Sequence, residues 1–141
     1  MPESMIDSAD KLMVTIDMLI EYYKIKLPNV ILGGFSQGAM MSASIGFVRP
    51  DIFKGVFMLS GMLLGEPYLS SNINSNNDQS VFISHGEFDS LVPFSNANKI
   101  VSFLGDYGYS PEFHQYPMGH ELSMQSIQDL GEWINRLNDD Q

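Results

Sequence analysis

The sequence predicts an α/β domain built in three layers, α/β/α, around a mostly parallel sheet. Short apolar runs without polar alternation occur at 30–35 (VILGGF), 55–60 (GVFMLS) and 80–84 (SVFIS), the pattern of strands covered on both faces. Between and around them lie stretches with helical spacing of apolar residues. Strands that alternate with helices require crossover connections, which are right-handed and yield a parallel sheet.

Taken in order, residues 8–25 place Leu12, Ile16, Leu19, Ile20 and Tyr23 on one helical stripe, with Asp10, Asp17, Glu21 and Lys24 mostly off it. Pro28 stops that helix, because the residue before a proline is pushed out of the helical region. The strand 30–35 follows, then a helix over 37–47. After Arg49-Pro50-Asp51 comes the second strand, and Gly61 closes it as Gly86 closes the third. A connection of about twenty residues separates those two strands, long enough to expect a functional or unstructured loop. Its first part, GMLLGEPYL, is apolar enough to pack, whereas SSNINSNNDQS is polar and expected to be mobile. A helix over 94–106, a fourth strand over 112–116 and a helix over 121–137, carrying Leu122, Ile127, Leu130, Trp133, Ile134 and Leu137, complete the chain.

At 141 residues the chain has the size of one domain, read as 1–141. Apolar residues at 44% and charged residues at 17% match a globular protein rather than a disordered or fibrous one. Seven basic against seventeen acidic residues give a formal charge of −10, which repels phosphate backbones and anionic membranes and argues against nucleic acid as a partner. No apolar run approaches the roughly 18 residues of a membrane span. The opening MPESMIDSADK lacks the basic and apolar regions of a secretory signal. With no cysteine there is neither a disulfide framework nor a thiolate metal site, and a cytoplasmic location fits.

The chemistry centres on G-F-S-Q-G, where Ser36 stands between Gly34 and Gly38 directly after a strand and before a helix. A serine hydroxyl becomes a nucleophile only beside a base and clear of the backbone, and a sharp strand-to-helix turn provides that clearance. The plain alternative is a serine acting as helix N-cap. A base calls for histidine, and there are three. His120, in YPMGHEL, follows the fourth strand, at the carboxyl edge where sites form in open α/β sheets. His114 lies within that strand in EFHQY and is expected to face solvent or a helix. His85 ends the third strand and is expected to be a structural hydrogen-bonding group. The acid that orients the base is expected in HGEFDSLVP, with Asp89 ahead of Glu87. The same residues, His85, Glu87, Asp89 and His120, allow a metal site in principle, but no local pair such as H-E-x-x-H fixes two ligands on one face. The order Ser36, Asp89, His120 is the order used by the α/β-hydrolase fold.

LGGFSQGA, HGEFDSLVP and YPMGHEL together resemble three blocks of the carboxylesterase, lysophospholipase and acyl-protein thioesterase family of α/β-hydrolases, and the likeness extends over nearly the whole chain. The resemblance implies Ser36 as nucleophile, Asp89 as orienting acid, His120 as base and the backbone N–H of Gln37 as an oxyanion donor. It also implies an acyl pocket lined by Met62, Leu63 and Leu64 with Val92, a small-molecule or acylated substrate, and no cofactor or metal. Members of the family also carry an earlier portion with an H-G-x-G-D-like loop that gives a second oxyanion donor. No such block occurs here, so the chain is expected to match the C-terminal portion of the fold. If the strands pair in chain order, strand 30–35 is an apolar edge that invites a second copy or another chain. The leading expectation is a serine hydrolase of esters or thioesters. The alternatives are a non-catalytic or complementation-dependent remnant that binds or oligomerises, and a small-molecule binding module using the same cleft.

Overall fold

The computed structural model describes residues 3–73 and 78–139. Along the chain it forms α1 (Glu3–Tyr23), β1 (Val30–Phe35), α2 (Gln37–Gly46), β2 (Phe53–Leu59), α3 (Glu66–Asn72), β3 (Ser80–Gly86), α4 (Ser95–Gly105), β4 (Glu112–Tyr116) and α5 (Met124–Asp139). The four strands pair in chain order, β1-β2-β3-β4, and every pair is parallel.

Alternation of side chains splits the apolar content between two faces. Val56, Met58, Val81 and Ile83 point to one face, where they pack with Ile16 of α1, Ala39, Ala43 and Ile45 of α2, Leu69 of α3, and Ile100 and Leu104 of α4. Phe57, Leu59 and Phe82 point to the other, against Leu130, Trp133, Ile134 and Leu137 of α5, with Ile31 and Phe35 alongside. This is the three-layer arrangement expected. Successive right-handed crossovers that advance in one direction place α2, α3 and α4 on the same face, and of the two terminal helices, which belong to no crossover, α1 joins that face and α5 covers the opposite one.

Two differences from the sequence-based expectation have clear causes. The connection between β2 and β3 contains a helix, α3, too short to show periodicity in the sequence. It is started by left-handed Gly65 (φ 69°), Glu66 in its first turn and a proline at its start, and is anchored by fully buried Leu69. Of the polar stretch 70–80, Ser70, Ser71 and Asn72 belong to that helix, while 74–77 lie outside the described residues. In α1, Ile16 is buried, but Leu19 and Tyr23 of the expected stripe are exposed, as are Val14, Met18 and Tyr22. The helix has one packed face and one bare apolar face.

Buried Gln79, just before β3, ties the lower end of the fold together. Its amide donates to the carbonyls of Gly46 (2.8 Å) and Phe53 (2.9 Å), and its carbonyl accepts from the Tyr109 hydroxyl (2.9 Å). Among the described residues no helix is long and apolar enough to cross a membrane.

Candidate active site

The carboxyl ends of the parallel strands form one rim, held level by backbone bonds from Ser36 N–H to Leu59 O (2.8 Å), Ser60 N–H to Ser84 O (2.9 Å) and Glu87 N–H to Tyr116 O (2.8 Å). Ser36, Asp89 and His120 all emerge here, from the loops after β1, β3 and β4. Ser36 sits at φ 57°, ψ −114°, a conformation that non-glycine residues rarely adopt and that costs on the order of 1–3 kcal/mol. The turn closes because Gly34 has no side chain: a β-carbon there would lie 2.5 Å from the carbonyl carbon of Gly38.

Ser36 occupies the N-cap position of α2, yet its side chain makes no capping hydrogen bond. Its Oγ lies 3.0 Å from Nε2 of His120 instead. On the other side of the ring, Nδ1 of His120 donates to Oδ2 of Asp89 at 2.7 Å. That donation leaves Nε2 with the lone pair in the neutral ring, ready to accept from the serine. The Phe35 ring packs beside His120, centroids 4.8 Å apart.

The Asp89 side chain is wholly buried while that of His120 is 13% exposed. Oδ1 of Asp89 accepts from the N–H groups of Leu91 (2.9 Å) and Val92 (2.8 Å). Burial by itself raises the carboxyl, but the bond from His120, those from Val92 and Leu91, and the His120 charge outweigh it and hold the group below its ordinary value of 3.8. Asp89 is therefore an anion at neutral pH, suited to stabilise a positive charge on the imidazole.

The other candidates lie elsewhere. Glu87 is exposed and accepts from the Gln115 amide (3.3 Å), on the outside of the loop. His114 packs on Phe82 and faces Glu112 (2.9 Å) and Asp129 (3.7 Å) between β4 and α5. His85 is fully buried at the end of β3, with Nε2 2.8 Å from the carbonyl of Val92. Among the described residues no group of three or more histidines, cysteines and acids could hold a metal ion. Gln37 opens α2, where the first N–H groups have no intrahelical acceptor.

The segment after β2 passes beside the serine: a β-carbon on Gly61 would lie 3.7 Å from Ser36 O. Of its residues, Met62 and Leu64 are half-buried and Leu63 packs into the main core. Val92 is buried under the Asp89 loop. Two clefts of about 520 and 330 Å³ lie away from this rim, one beside Gln79, Trp133 and Arg136 and the other between α1 and α2 near Arg49 and Tyr68.

A match to the Phospholipase/Carboxylesterase family spans residues 3–138. The chain belongs to this family. Relatives include acyl-protein thioesterase 1 of Kluyveromyces lactis, 34% identical over 113 residues that make up 77% of this chain and 50% of the relative. Carboxylesterase SOBER1 of Arabidopsis thaliana is 30% identical over 113 residues, 77% of this chain and 48% of its own length. The chain thus spans about half the length of the curated relatives it matches. Among solved structures, that of Arabidopsis SOBER1 superposes with a TM-score of 0.84 at 25% identity, covering 96% of this chain and 66% of that one. The crystal structure of esterase PE8 gives 0.85 at 23% identity, covering 94% and 61%, a likeness of fold. The four-stranded α/β/α unit is the C-terminal portion of the α/β-hydrolase fold.

Proposed function

We propose that this member of the family is a serine hydrolase that cleaves carboxylic esters or thioesters through an acyl-enzyme. The observation that carries the reading is the continuous line of contacts from Ser36 Oγ through the His120 ring to buried Asp89, at 3.0 and 2.7 Å. Ser36 Oγ attacks the acyl carbonyl as its proton passes to Nε2 of His120, and Asp89 stabilises the resulting imidazolium. The tetrahedral oxyanion is met by the N–H of Gln37 at the start of α2. Nε2–H of His120 then protonates the departing alcohol or thiol as the carbonyl re-forms, leaving Ser36 acylated. Water, deprotonated by His120, attacks the acyl group and releases the acid and free Ser36. Met62, Leu63, Leu64 and Val92 are the residues proposed to line the acyl side of the site, and no cofactor or metal takes part.

A fluorophosphonate probe is expected to label the parent protein at Ser36 and to leave Ser36→Ala and His120→Ala unlabelled. Folded parent that stays unlabelled at high probe concentration excludes the reading.

The open edge of β1 favours a second reading, in which the chain acts with another polypeptide. β1 is half-buried throughout and among the described residues pairs only with β2, and the bare apolar face of α1 lies on the helix that precedes it. We propose that a second copy, or a chain supplying a further oxyanion donor, covers this edge. A missing donor typically costs about 2.7–4 kcal/mol of transition-state stabilisation, so the complex would be the faster catalyst. Sedimentation at rising protein concentration tests it: a monomer with ordinary esterase turnover rules the complex out.

A further inference from the structure

We propose that His85 is a positioning residue for the Asp89–His120 pair, acting through the backbone of Val92; the inference rests on the serine-hydrolase reading. The loop after β3 is exposed at Glu87, Phe88, Ser90 and Leu91, and only Asp89 and Val92 turn inward. Val92 N–H holds Oδ1 of Asp89 at 2.8 Å, and Val92 O receives the N–H of His85 Nε2 at 2.8 Å. One residue thus joins the carboxylate to the sheet through its own donor and acceptor. Pro93, next in the chain, has no N–H with which to fix the loop from that side.

His85 is well suited to be the fixed end. It lies in β3, paired with Gln115 of β4, is fully buried, and meets the Phe94 ring edge-to-face at 5.9 Å. A carbonyl only accepts, so Nε2 carries the proton. Nδ1 then has no hydrogen-bond partner, and the ring makes its single bond at Val92. The same Nε2 is 3.5 Å from Oδ2 of Asp89, the oxygen that His120 uses. A side chain present only to fill this space would not need an imidazole with one buried nitrogen left unpaired, because an apolar residue avoids that cost.

The test combines proton NMR with probe labelling. Parent and His85→Gln, whose amide nitrogen reaches the place of Nε2, are expected to show the downfield, exchange-protected Nδ1–H signal of His120 and to label Ser36 at similar rates. His85→Leu is expected to lose that signal and to label on the order of a hundredfold more slowly while keeping its circular dichroism spectrum, as a displacement of about an ångström at a catalytic pair does. Should His85→Leu fail to fold, His85→Asn, one bond too short to reach Val92, is expected to give the same loss. A folded Leu or Asn variant that keeps both the signal and the parent rate overturns the proposal, as does a folded Gln variant that loses both. A parent that shows the His120 signal but never labels removes the hydrolase reading instead, and the NMR arm still decides the link from His85 to His120.

Discussion

Gly86 and Gly119 meet backbone to backbone: a β-carbon on Gly86 would lie 2.3 Å from the Gly119 carbonyl oxygen and equally close to that of Met118. The end of β3 is therefore a template against which the His120 loop is laid, helped by the bond from Phe88 N–H to Met118 O at 3.0 Å. Gly86→Ala is expected to push that loop outward and separate His120 from Ser36. A cost of about 1–3 kcal/mol, as for other overpacked sites, should appear in urea unfolding, together with slower probe labelling of Ser36.

Asp89→Asn keeps the shape and an acceptor for the Leu91 and Val92 amides, but presents an N–H₂ group to His120 where the carboxylate accepted. The imidazole must then shift its proton to Nε2, where it can no longer accept from Ser36. Labelling and turnover are expected to fall by about four orders of magnitude, and the unfolding midpoint at neutral pH should fall as well, because the amide forfeits the stability that the lowered carboxyl contributes. A rate near the parent's would mean that Asp89 does not select the tautomer.

Stability should fall at both ends of the pH scale, with Asp89 acting at the acid end and Tyr109 at the alkaline end. Asp89 is held below 3.8, so the folded state binds fewer protons than the unfolded chain; its contribution is complete above that value and is lost as pH falls through the folded one. Asp129, lowered by its bond from Tyr116, adds in the same direction. Burial pushes the Tyr109 hydroxyl from 10.0 to about 12, so its contribution is complete below the lower value and is lost as pH rises toward the upper one. Tyr116, raised by burial and by its bond to Asp129, adds to the alkaline loss; urea midpoints taken from about pH 3 to about pH 12 should trace this dome, and Tyr109→Phe should make its alkaline side less steep.

α5 is the only helix among the described residues assigned to its face of the sheet, and Trp133 is its anchor, 4% exposed and packed against Phe57 and Phe82. Trp133→Ala is expected to cost about 3–5 kcal/mol in a urea melt. Gln79→Leu should also be severe, since it takes away the side-chain partner of the Phe53 carbonyl and the Tyr109 hydroxyl and leaves the Gly46 carbonyl with the longer bond from Arg49 N–H (3.3 Å), a buried polar group without a partner costing about 1–3 kcal/mol.

Much of the fold was legible along the chain. The limits of β1 and β4 fall where the apolar run and its turn residues place them, β2 starts two residues and ends one residue earlier than expected, and β3 runs two residues further. Periodicity failed where an element was short or only partly packed. α3 has a single buried anchor in seven residues, and α1 begins at Glu3 with much of its apolar surface facing out. Gln79 looks like one more polar residue of a loop, and no local signal marks it as the hub that joins β2, β3 and the turn at Tyr109.

The order of types along the chain determined by itself the alternation of strand and helix, the strained turn at Ser36, and which three loops carry an alcohol, a carboxylate and an imidazole. Those features arise from interactions between near neighbours, which spacing records. Tertiary structure decided which atoms meet: that Oδ2 of Asp89 reaches Nδ1 of His120 at 2.7 Å, that Ser36 leaves its helix uncapped, and that His85 grips Val92. Such choices depend on contacts between segments up to 84 residues apart, set by the parallel register of the sheet and the close backbone approach at Gly86, and no local pattern encodes them.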